Sequence, residues 1–421
     1  MNTTASSAPV RSLRSHQTIT LALLFLAGIV NFFDRSSLSI ANTTIRAEMH
    51  LSATDMGWLL SVFSLAYGIA QLPLIGLLDR AGTRAVLGAG LAIWSTAQML
   101  TGLARGMPSL IALRVLLGAG EAPFYPSGVR SVREWFSSRT RGRATAIMSM
   151  SQTVGLAISP PALTFIMLRI GWRATFISLG LSGLLVAIAW IVFHRPRHAT
   201  PFHQPAPHTS SPHENAWKAL LRQRTVWGMM LGFGGINYTV WLYTAWLPGY
   251  LQAERHLSLA KTGWLAAIPF LAGALGMISS GALADRLAHA GLRLTTVHRV
   301  NLVAGMIVSA ASTSLVAHSA STSAAIAGIS MALFCIHFAG TSGWGYVQAV
   351  SPGQYVASLS ALQNFASFMI ASAGPVLTGW LLDRTHSFGL ALGVCSAVTL
   401  LGAVSYATLA APGGMHLRHD A

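Results

Sequence analysis

Long apolar stretches separated by short polar ones constrain this chain more than any other feature. A transmembrane helix needs about 20 mostly apolar residues, and windows of that length predict twelve such helices. They lie near residues 19–41, 56–78, 86–104, 108–129, 145–168, 174–193, 226–251, 263–284, 298–317, 322–348, 356–382 and 388–410. We therefore predict an all-α polytopic membrane protein.

Charged residues are few and lie mainly between the apolar stretches. Only 9% of the 421 residues are charged, and 27 Lys and Arg outnumber 11 Asp and Glu. In a soluble protein this excess would suggest nucleic-acid binding, but here membrane topology explains it, and we expect no nucleic-acid partner. Alternate assignment of loops puts eighteen Lys and Arg on the side of the N-terminus and seven on the other. The positive-inside rule then predicts an inner-membrane protein with both termini cytoplasmic.

A Pro- and His-rich segment divides the predicted helices into two sets of six. The predicted order is a cytoplasmic tail (1–18), a six-helix half (19–193), a cytoplasmic linker (194–224), a second half (225–410) and a cytoplasmic tail (411–421). The halves look like repeats, since Asp79-Arg80 follows the second predicted helix and Asp285-Arg286 follows the eighth. Two parallel halves are typical of secondary transporters, which bind substrate near the membrane midplane and expose it alternately to each side.

Metal, disulfide and protease chemistry find little support in the sequence. The two cysteines, Cys335 and Cys395, lie in apolar runs without a metal-binding spacing. Five linker histidines have no cysteine partner, so we expect no metal site at His194, His198, His203, His208 and His213. The His-Glu-x-x-His and Gly-x-Gly-Asp motifs of membrane proteases are absent. We expect neither an enzyme nor a cofactor.

Ionisable residues inside the predicted helices indicate the functional site. Of the eleven acidic residues, only Asp34 and Glu121 lie well inside predicted helices, and Arg35 and Arg114 lie there as well. Such residues are costly in a membrane and mark functional positions, so the two carboxyls are candidate proton carriers. Arg114 and Glu121 are seven residues apart and share a helix face. Because a guanidinium binds a carboxylate through two hydrogen bonds, we assign Arg35 to an acidic group of the substrate.

The most specific segment is Arg114-Val-Leu-Leu-Gly118-Ala-Gly120-Glu121-Ala122-Pro123-Phe-Tyr125-Pro126. It is accompanied by Asn31-Phe-Phe-Asp34-Arg35, by Glu134-Trp135-Phe136 and by Gly171-Trp172-Arg173. With these segments the sequence resembles the major facilitator superfamily, and within it the anion:cation symporters that move sugar acids and other organic anions. The resemblance implies twelve transmembrane helices in two pseudo-symmetric halves, the major facilitator fold.

The resemblance also implies roles for single residues. It implies that Asp34 and Glu121 couple transport to protons and that Arg35 binds the substrate carboxylate. Arg114 is implied to act together with Glu121. Further substrate contacts are implied at Tyr67, Gln152, Trp344 and Asn364, with Thr341 in reach. The loop motifs implied to control conformation are Asp79, Arg80, Asp285 and Arg286. The expected partners are a small organic anion, a proton and the lipid bilayer, and the expected state is a monomer.

The leading functional expectation is proton-coupled uptake of an organic anion by alternating access, driven by the proton gradient. Within the resembled family, a sugar acid such as an aldonate, aldarate or hexuronate is favoured. Phe368 stands where the family commonly has an asparagine, which leaves symport of an aromatic or other small carboxylate open. Export of drugs or metabolites is a further alternative, although it would not require arginines inside the membrane.

Overall fold

The computed structural model describes residues 8–195, 220–351 and 355–410, and every regular element in these ranges is a helix. The all-α prediction is therefore confirmed for the described residues. The helices are α1 (Ala8–Ile40), α2 (Asn42–Met49), α3 (Ala53–Ala70), α4 (Leu74–Thr101), α5 (Met107–Glu121), α6 (Phe124–Trp135), α7 (Ser138–Phe193), α8 (Arg224–Ala253), α9 (Leu259–His289), α10 (Leu294–Ala317), α11 (Thr322–Val350), α12 (Val356–Thr385) and α13 (Gly389–Thr408).

Seven helical segments of the described chain are long and apolar enough to cross a membrane. One of them, Thr140–Phe193, has 54 residues, more than twice the length of about 20 residues that one crossing needs. It contains the two spans predicted at 145–168 and 174–193. Residues 196–219 of the predicted linker and residues 411–421 of the predicted C-terminal tail lie outside the described residues.

Two glycines turn the chain inside α4 and α7. Gly82 in α4 has φ 74° and ψ 168°, and Gly171 in α7 has φ 76° and ψ 165°. This backbone region is essentially confined to glycine. Each glycine lies between two predicted spans, so α4 and α7 are each two helices joined at a glycine. The Asp79-Arg80 motif and the Gly171-Trp172-Arg173 segment both lie beside such a turn.

Two of the predicted spans are interrupted, and the structure corrects them. The span at 56–78 is divided between α3 and α4 by a turn at residues 71–73, which ends on Pro73. The span at 108–129 is divided between α5 and α6 at Ala122 and Pro123. Proline lacks the backbone N–H group that continues the hydrogen-bond pattern of a helix. A hydropathy window measures only apolar character and therefore does not predict such a break.

The chain forms two compact units. Unit 1 comprises Met1–Leu38, Ala66–Ser159 and Phe165–Gln204, and unit 2 comprises Ser39–Leu65, Pro160–Thr164 and Pro205–Ala421. The core of unit 1 includes the fully buried rings of Trp94, Phe176 and Trp190. The core of unit 2 includes those of Trp246, Tyr346 and Tyr406. The predicted boundaries of the two six-helix halves stay predictions.

The turn at Gly171 gives a first testable prediction. Gly171→Ala should lower the stability of the protein by about 1–3 kcal/mol, because alanine is strained at this φ and ψ. No atom lies within 4 Å of the Cβ that the alanine would add, so a clash would not explain the loss. Gly142→Ala is the matched control, since that site is equally open but has no positive φ. Equal thermal unfolding midpoints for both variants would contradict the prediction.

Candidate functional site

A buried ion pair joins α1 and α5 in unit 1. Arg35 Nε donates to Glu121 Oε2 over 2.7 Å, and the two side chains are 14% and 0% exposed. The sequence predicted both residues for the site and placed Glu121 on one helix face with Arg114, without an ion pair between those two. The structure gives Glu121 its direct partner from α1, 86 positions away.

Asp34 and Arg114 complete a group of four buried charges, which we call the charge cluster (Asp34, Arg35, Arg114 and Glu121). Asp34 is 0% exposed and Arg114 3% exposed. Neither carboxyl oxygen of Asp34 has a hydrogen-bond partner among the described residues, and the same holds for Nε and one terminal nitrogen of Arg114. The charges of Asp34 and Arg114 nevertheless interact with each other and with Glu121. The cluster carries two positive and two negative groups.

Aromatic side chains surround the Arg35 guanidinium. Its Cζ atom lies 4.8 Å from the ring centroid of Tyr67 and 5.3 Å from that of Phe32. A cation over an aromatic face is stabilised by the ring's negative π surface. The structure therefore brings Tyr67, predicted as a substrate contact, directly to Arg35.

Close helix packing positions Glu121. A Cβ added to Gly120 would lie 2.8 Å from the backbone nitrogen of Trp94, so only glycine lets α5 approach α4 this closely. Glu121 follows directly as the last residue of α5, before Pro123 interrupts the helix. This approach buries the Glu121 carboxylate inside unit 1.

Three of the predicted substrate contacts lie in unit 2. On α11, Thr341 donates to the carbonyl oxygen of His337, and Trp344, 40% exposed, packs against Phe233 at 5.2 Å between ring centroids. On α12, Asn364 is half-buried, and its carbonyl oxygen accepts a bond from the Ser367 hydroxyl. Of the other two, which belong to unit 1, Tyr67 lies beside Arg35 and Gln152 is an exposed residue of α7.

Sequence reasoning missed a polar contact beside Asn364. Asn237 Nδ2 on α8 donates to Ser367 Oγ on α12 over 2.7 Å. Both residues stand inside apolar stretches, and amides are uncommon there, so the chemical type of Asn237 was the signal that could have found it. The pairing of α8 with α12 could not be read from the sequence.

The first loop motif, Asp79-Arg80 in α4, belongs to an ion network. Arg130 NH1 lies 2.7 Å from Asp79 Oδ1, and Arg130 Nε lies 3.2 Å from Glu134 Oε1. Burial raises the pKa of the Glu134 carboxyl, although Arg130 opposes the shift. In the second motif, Asp285 and Arg286 are exposed and form no ion pair within the described chain, and Arg80 is exposed as well.

His194, the first of the five linker histidines, has a structural environment. Its ring is fully buried, stacks on Trp190 at 3.9 Å between centroids, and forms hydrogen bonds with the hydroxyls of Thr20 and Thr83. Burial, aided by the charge of Arg84, lowers its pKa to about 4. His198, His203, His208 and His213 lie outside the described residues. Among the residues that are described, no group of three His, Cys, Asp or Glu side chains could hold a metal ion.

The sequence model of the Major Facilitator Superfamily matches residues 24–375. The probable L-galactonate transporter of Escherichia coli K12 is 47% identical over 400 residues, covering 93% of this chain and 88% of its own. The probable galactarate/D-glucarate transporter GarP of the same strain is 30% identical over 418 residues, covering 92% of this chain and 93% of its own.

Solved structures give the same fold. A crystal structure of a D-xylose-proton symporter matches with a TM-score of 0.78 at 12% identity, over 94% of this chain and 99% of its own. An inward-facing bacterial homologue of the human lysosomal transporter Spinster matches with a TM-score of 0.77 at 18% identity, over 96% of this chain and 95% of its own.

The ion pair gives a prediction about stability. Arg35→Met leaves the Glu121 carboxylate buried without its partner, which should cost about 3–5 kcal/mol. The double variant Arg35→Met/Glu121→Met removes both charges and should recover much of that loss. The control is Asp79→Asn, which removes a carboxylate that is 69% exposed in its ion pair with Arg130; it should cost about 1 kcal/mol or less. Thermal unfolding of the purified protein measures all three, and a double variant no more stable than Arg35→Met would contradict the prediction.

Proposed function

The chain belongs to the Major Facilitator Superfamily and is a membrane transporter rather than an enzyme, and from this premise we propose that it imports a sugar acid together with protons. Relatives named for L-galactonate, for D-galactonate and for galactarate or D-glucarate support a sugar acid as the substrate. These names include acids with one carboxylate and acids with two. We place the protein in the inner membrane as a monomer with both termini cytoplasmic.

The observation that carries the proposal is the charge balance of the charge cluster. Two arginines and two carboxylates sum to zero when all four are ionised. An anion that binds Arg35 brings a net negative charge into a low-dielectric region, where an uncompensated charge is costly. Uptake of a proton by Asp34 or Glu121 restores neutrality. Substrate binding and proton binding therefore favour each other.

The geometry of Arg35 suits a carboxylate ligand. Its guanidinium lies beside the rings of Tyr67 and Phe32, and its Nε is bonded to Glu121. A guanidinium can hold two carboxylates or exchange one for another because it has five N–H donors. A protonated Glu121 would release Arg35 to the substrate. Drug export would give these buried arginines no comparable role.

Alternating access requires contacts between the two predicted six-helix halves, residues 19–193 and 225–410, to form and break. Inside unit 2, the Asp383 carboxylate of α12 accepts hydrogen bonds from the backbone N–H groups of Ala53 and Thr54 at 2.9 and 2.7 Å, and from the Thr54 hydroxyl at 2.6 Å. It thus caps the first turn of α3, where a negative charge is favourable. We assign this cap to the state in which this end of the transporter is closed.

Arg35→Lys tests recognition of the carboxylate. Lysine keeps the positive charge but loses the planar fork, so affinity for the sugar acid should fall by about tenfold to a hundredfold. Arg169→Lys is the control, because Arg169 is an exposed residue of α7 that packs on Phe165. Calorimetric titration of the purified variants measures the change. Unchanged affinity in a well-folded Arg35→Lys protein would remove Arg35 from the substrate site.

Glu121→Gln tests proton coupling. Glutamine resembles the protonated acid in shape and charge, so the variant should bind substrate and exchange labelled for unlabelled substrate across a vesicle membrane. It should not accumulate substrate against a gradient, because the empty carrier cannot release the proton. Asp34→Asn should also impair accumulation. Glu48→Gln, at an exposed carboxyl of α2, is the control.

Counterflow and proton-driven uptake are measured on the same reconstituted Glu121→Gln sample. Wild-type accumulation by Glu121→Gln would exclude Glu121 from coupling and leave Asp34 as the proton site. Loss of both activities in a folded protein would place Glu121 in substrate binding instead.

Asp383→Asn tests the cap of α3. The amide accepts fewer N–H bonds and carries no charge, so this end of the transporter should open more often. The probe is Thr378→Cys on α12, where the native side chain is 1% exposed, in a chain with Cys335 and Cys395 replaced by alanine. A membrane-impermeant maleimide should label it several-fold faster in Asp383→Asn. Asp55→Asn, whose carboxylate bonds only Ser52, is the control, and equal labelling rates would refute the assignment.

A further inference from the structure

A groove lies along one face of α1 in unit 1, and we call it the α1 groove. Its lining includes Gln17, Leu21, Ala22 and Phe25 of α1 together with Phe136 and Ile147, and its volume is about 630 Å³. Leu21, Ala22 and Phe25 recur at helical spacing and therefore share a helix face. Volumes of roughly 300–1,000 Å³ are typical of sites that hold small molecules. The groove is thus large enough for a ligand.

The α1 groove is polar at one end and apolar along the rest. Gln17 stands just before the predicted span 19–41, whereas Leu21 and Phe25 lie inside that span. Gln17 Nε2 donates to the carbonyl oxygen of Trp135 over 2.7 Å, which joins the polar end to the last residue of α6. The groove therefore extends from the predicted membrane surface into the predicted apolar layer.

Two arginines stand at the polar end of the groove. A terminal nitrogen of Arg141 donates to the carbonyl oxygen of Phe136 over 3.4 Å, so Arg141 lies at the turn between α6 and α7 where Phe136 lines the groove. Arg143 is exposed and precedes the lining residue Ile147 by four positions on α7. Residues four apart share a helix face. Both arginines come just before the predicted span 145–168, at the predicted membrane surface.

The charges of these two arginines are not neutralised by carboxylates. Glu134 is the only acidic residue of the sequence between positions 122 and 213, and its ion pair is with Arg130. Within the described chain neither Arg141 nor Arg143 forms an ion pair. The polar end of the groove therefore has an excess of positive charge, which complements an anionic group beside an apolar wall.

We propose that the α1 groove binds an anionic phospholipid of the cytoplasmic leaflet. Arg141 and Arg143 bind its phosphate, and one acyl chain lies against Leu21 and Phe25. A guanidinium forms charge-assisted hydrogen bonds with phosphate, and basic pockets between membrane helices suit anionic headgroups. In the proposed orientation this end of α1 faces the cytoplasm. Inorganic phosphate would leave the apolar wall uncovered, and an apolar helix of a second copy would leave the arginines without an anion.

Native mass spectrometry of the purified full chain tests the ligand. Dioleoyl phosphatidylglycerol is compared with dioleoyl phosphatidylcholine, which has the same acyl chains but no net charge, and with inorganic phosphate. The anionic lipid should bind at least about tenfold more tightly than the zwitterionic lipid, because two arginines attract its net charge. Equal affinities would indicate ordinary bilayer contact, displacement by inorganic phosphate a simple anion site, and lipid-free dimers a second copy as the occupant. Each of these three results would overturn the proposal.

Arg143→Gln tests the polar end of the groove. Loss of one guanidinium should lower the affinity for phosphatidylglycerol by about fivefold. Arg169→Gln is the matched control, because Arg169 is an exposed arginine of the same helix that stands just beyond the other end of the predicted span. It should bind the lipid as the wild type does. Unchanged affinity in Arg143→Gln would refute the proposal.

Ala22→Trp tests the apolar wall, because a bulky ring at this exposed lining position fills the groove. Affinity for phosphatidylglycerol should fall by at least about tenfold. Ala282→Trp is the control, at an exposed alanine near the cytoplasmic end of the predicted span 263–284. Equally tight binding by both variants would contradict the proposal. No sugar acid is used in these measurements, so their failure would leave the proposed function in place.

Discussion

The burial of four charged side chains in one place is the constraint on which this structure depends. Arg35 and Glu121 form a 2.7 Å ion pair, and Asp34 and Arg114 lie buried with polar atoms that no described residue satisfies. Taking charges out of water costs several kcal/mol for each ion unless partners compensate. We propose that the chain keeps this group inside apolar helices for function rather than for stability. The close approach of α5 to α4 at Gly120 serves this group, because it brings Glu121 to Arg35.

The balance of this group explains how an anion and a proton can move together. In the proposed mechanism the sum of charge is zero when all four groups are ionised, so a bound anion creates an excess that a proton on Asp34 or Glu121 would remove. We further propose that the Glu121 carboxylate competes with the substrate carboxylate for the Arg35 guanidinium. Protonation of Glu121 thus neutralises the excess charge and frees the donor at once. One interaction can link the two events without a long pathway through the protein.

Much of this arrangement could be predicted from the sequence, because charges inside apolar stretches are rare and therefore visible. For this reason alone the sequence predicted the charge cluster residues Asp34, Arg35, Arg114 and Glu121 as functional. The ion pair between Arg35 and Glu121 could not be predicted. Helical phase places Glu121 and Arg114 on one helix face, but it gives no information about Arg35, which is 86 positions away in the sequence. Hydropathy windows did not predict the helix breaks at Pro73 and Pro123, because they average the hydropathy of about 20 residues. The Asp383 cap on α3 and the burial of His194 depend on tertiary contacts between distant residues.

We propose that substrate binding and proton binding are linked in the charge cluster. The most direct measurement is the pH change when a saturating sugar acid is added to the purified protein in weakly buffered solution above neutral pH. The account predicts uptake of up to about one proton per bound anion, and no uptake by a variant that carries both Asp34→Asn and Glu121→Gln and still binds substrate. Binding without proton uptake by the wild type, or equal uptake by the double variant, would contradict it.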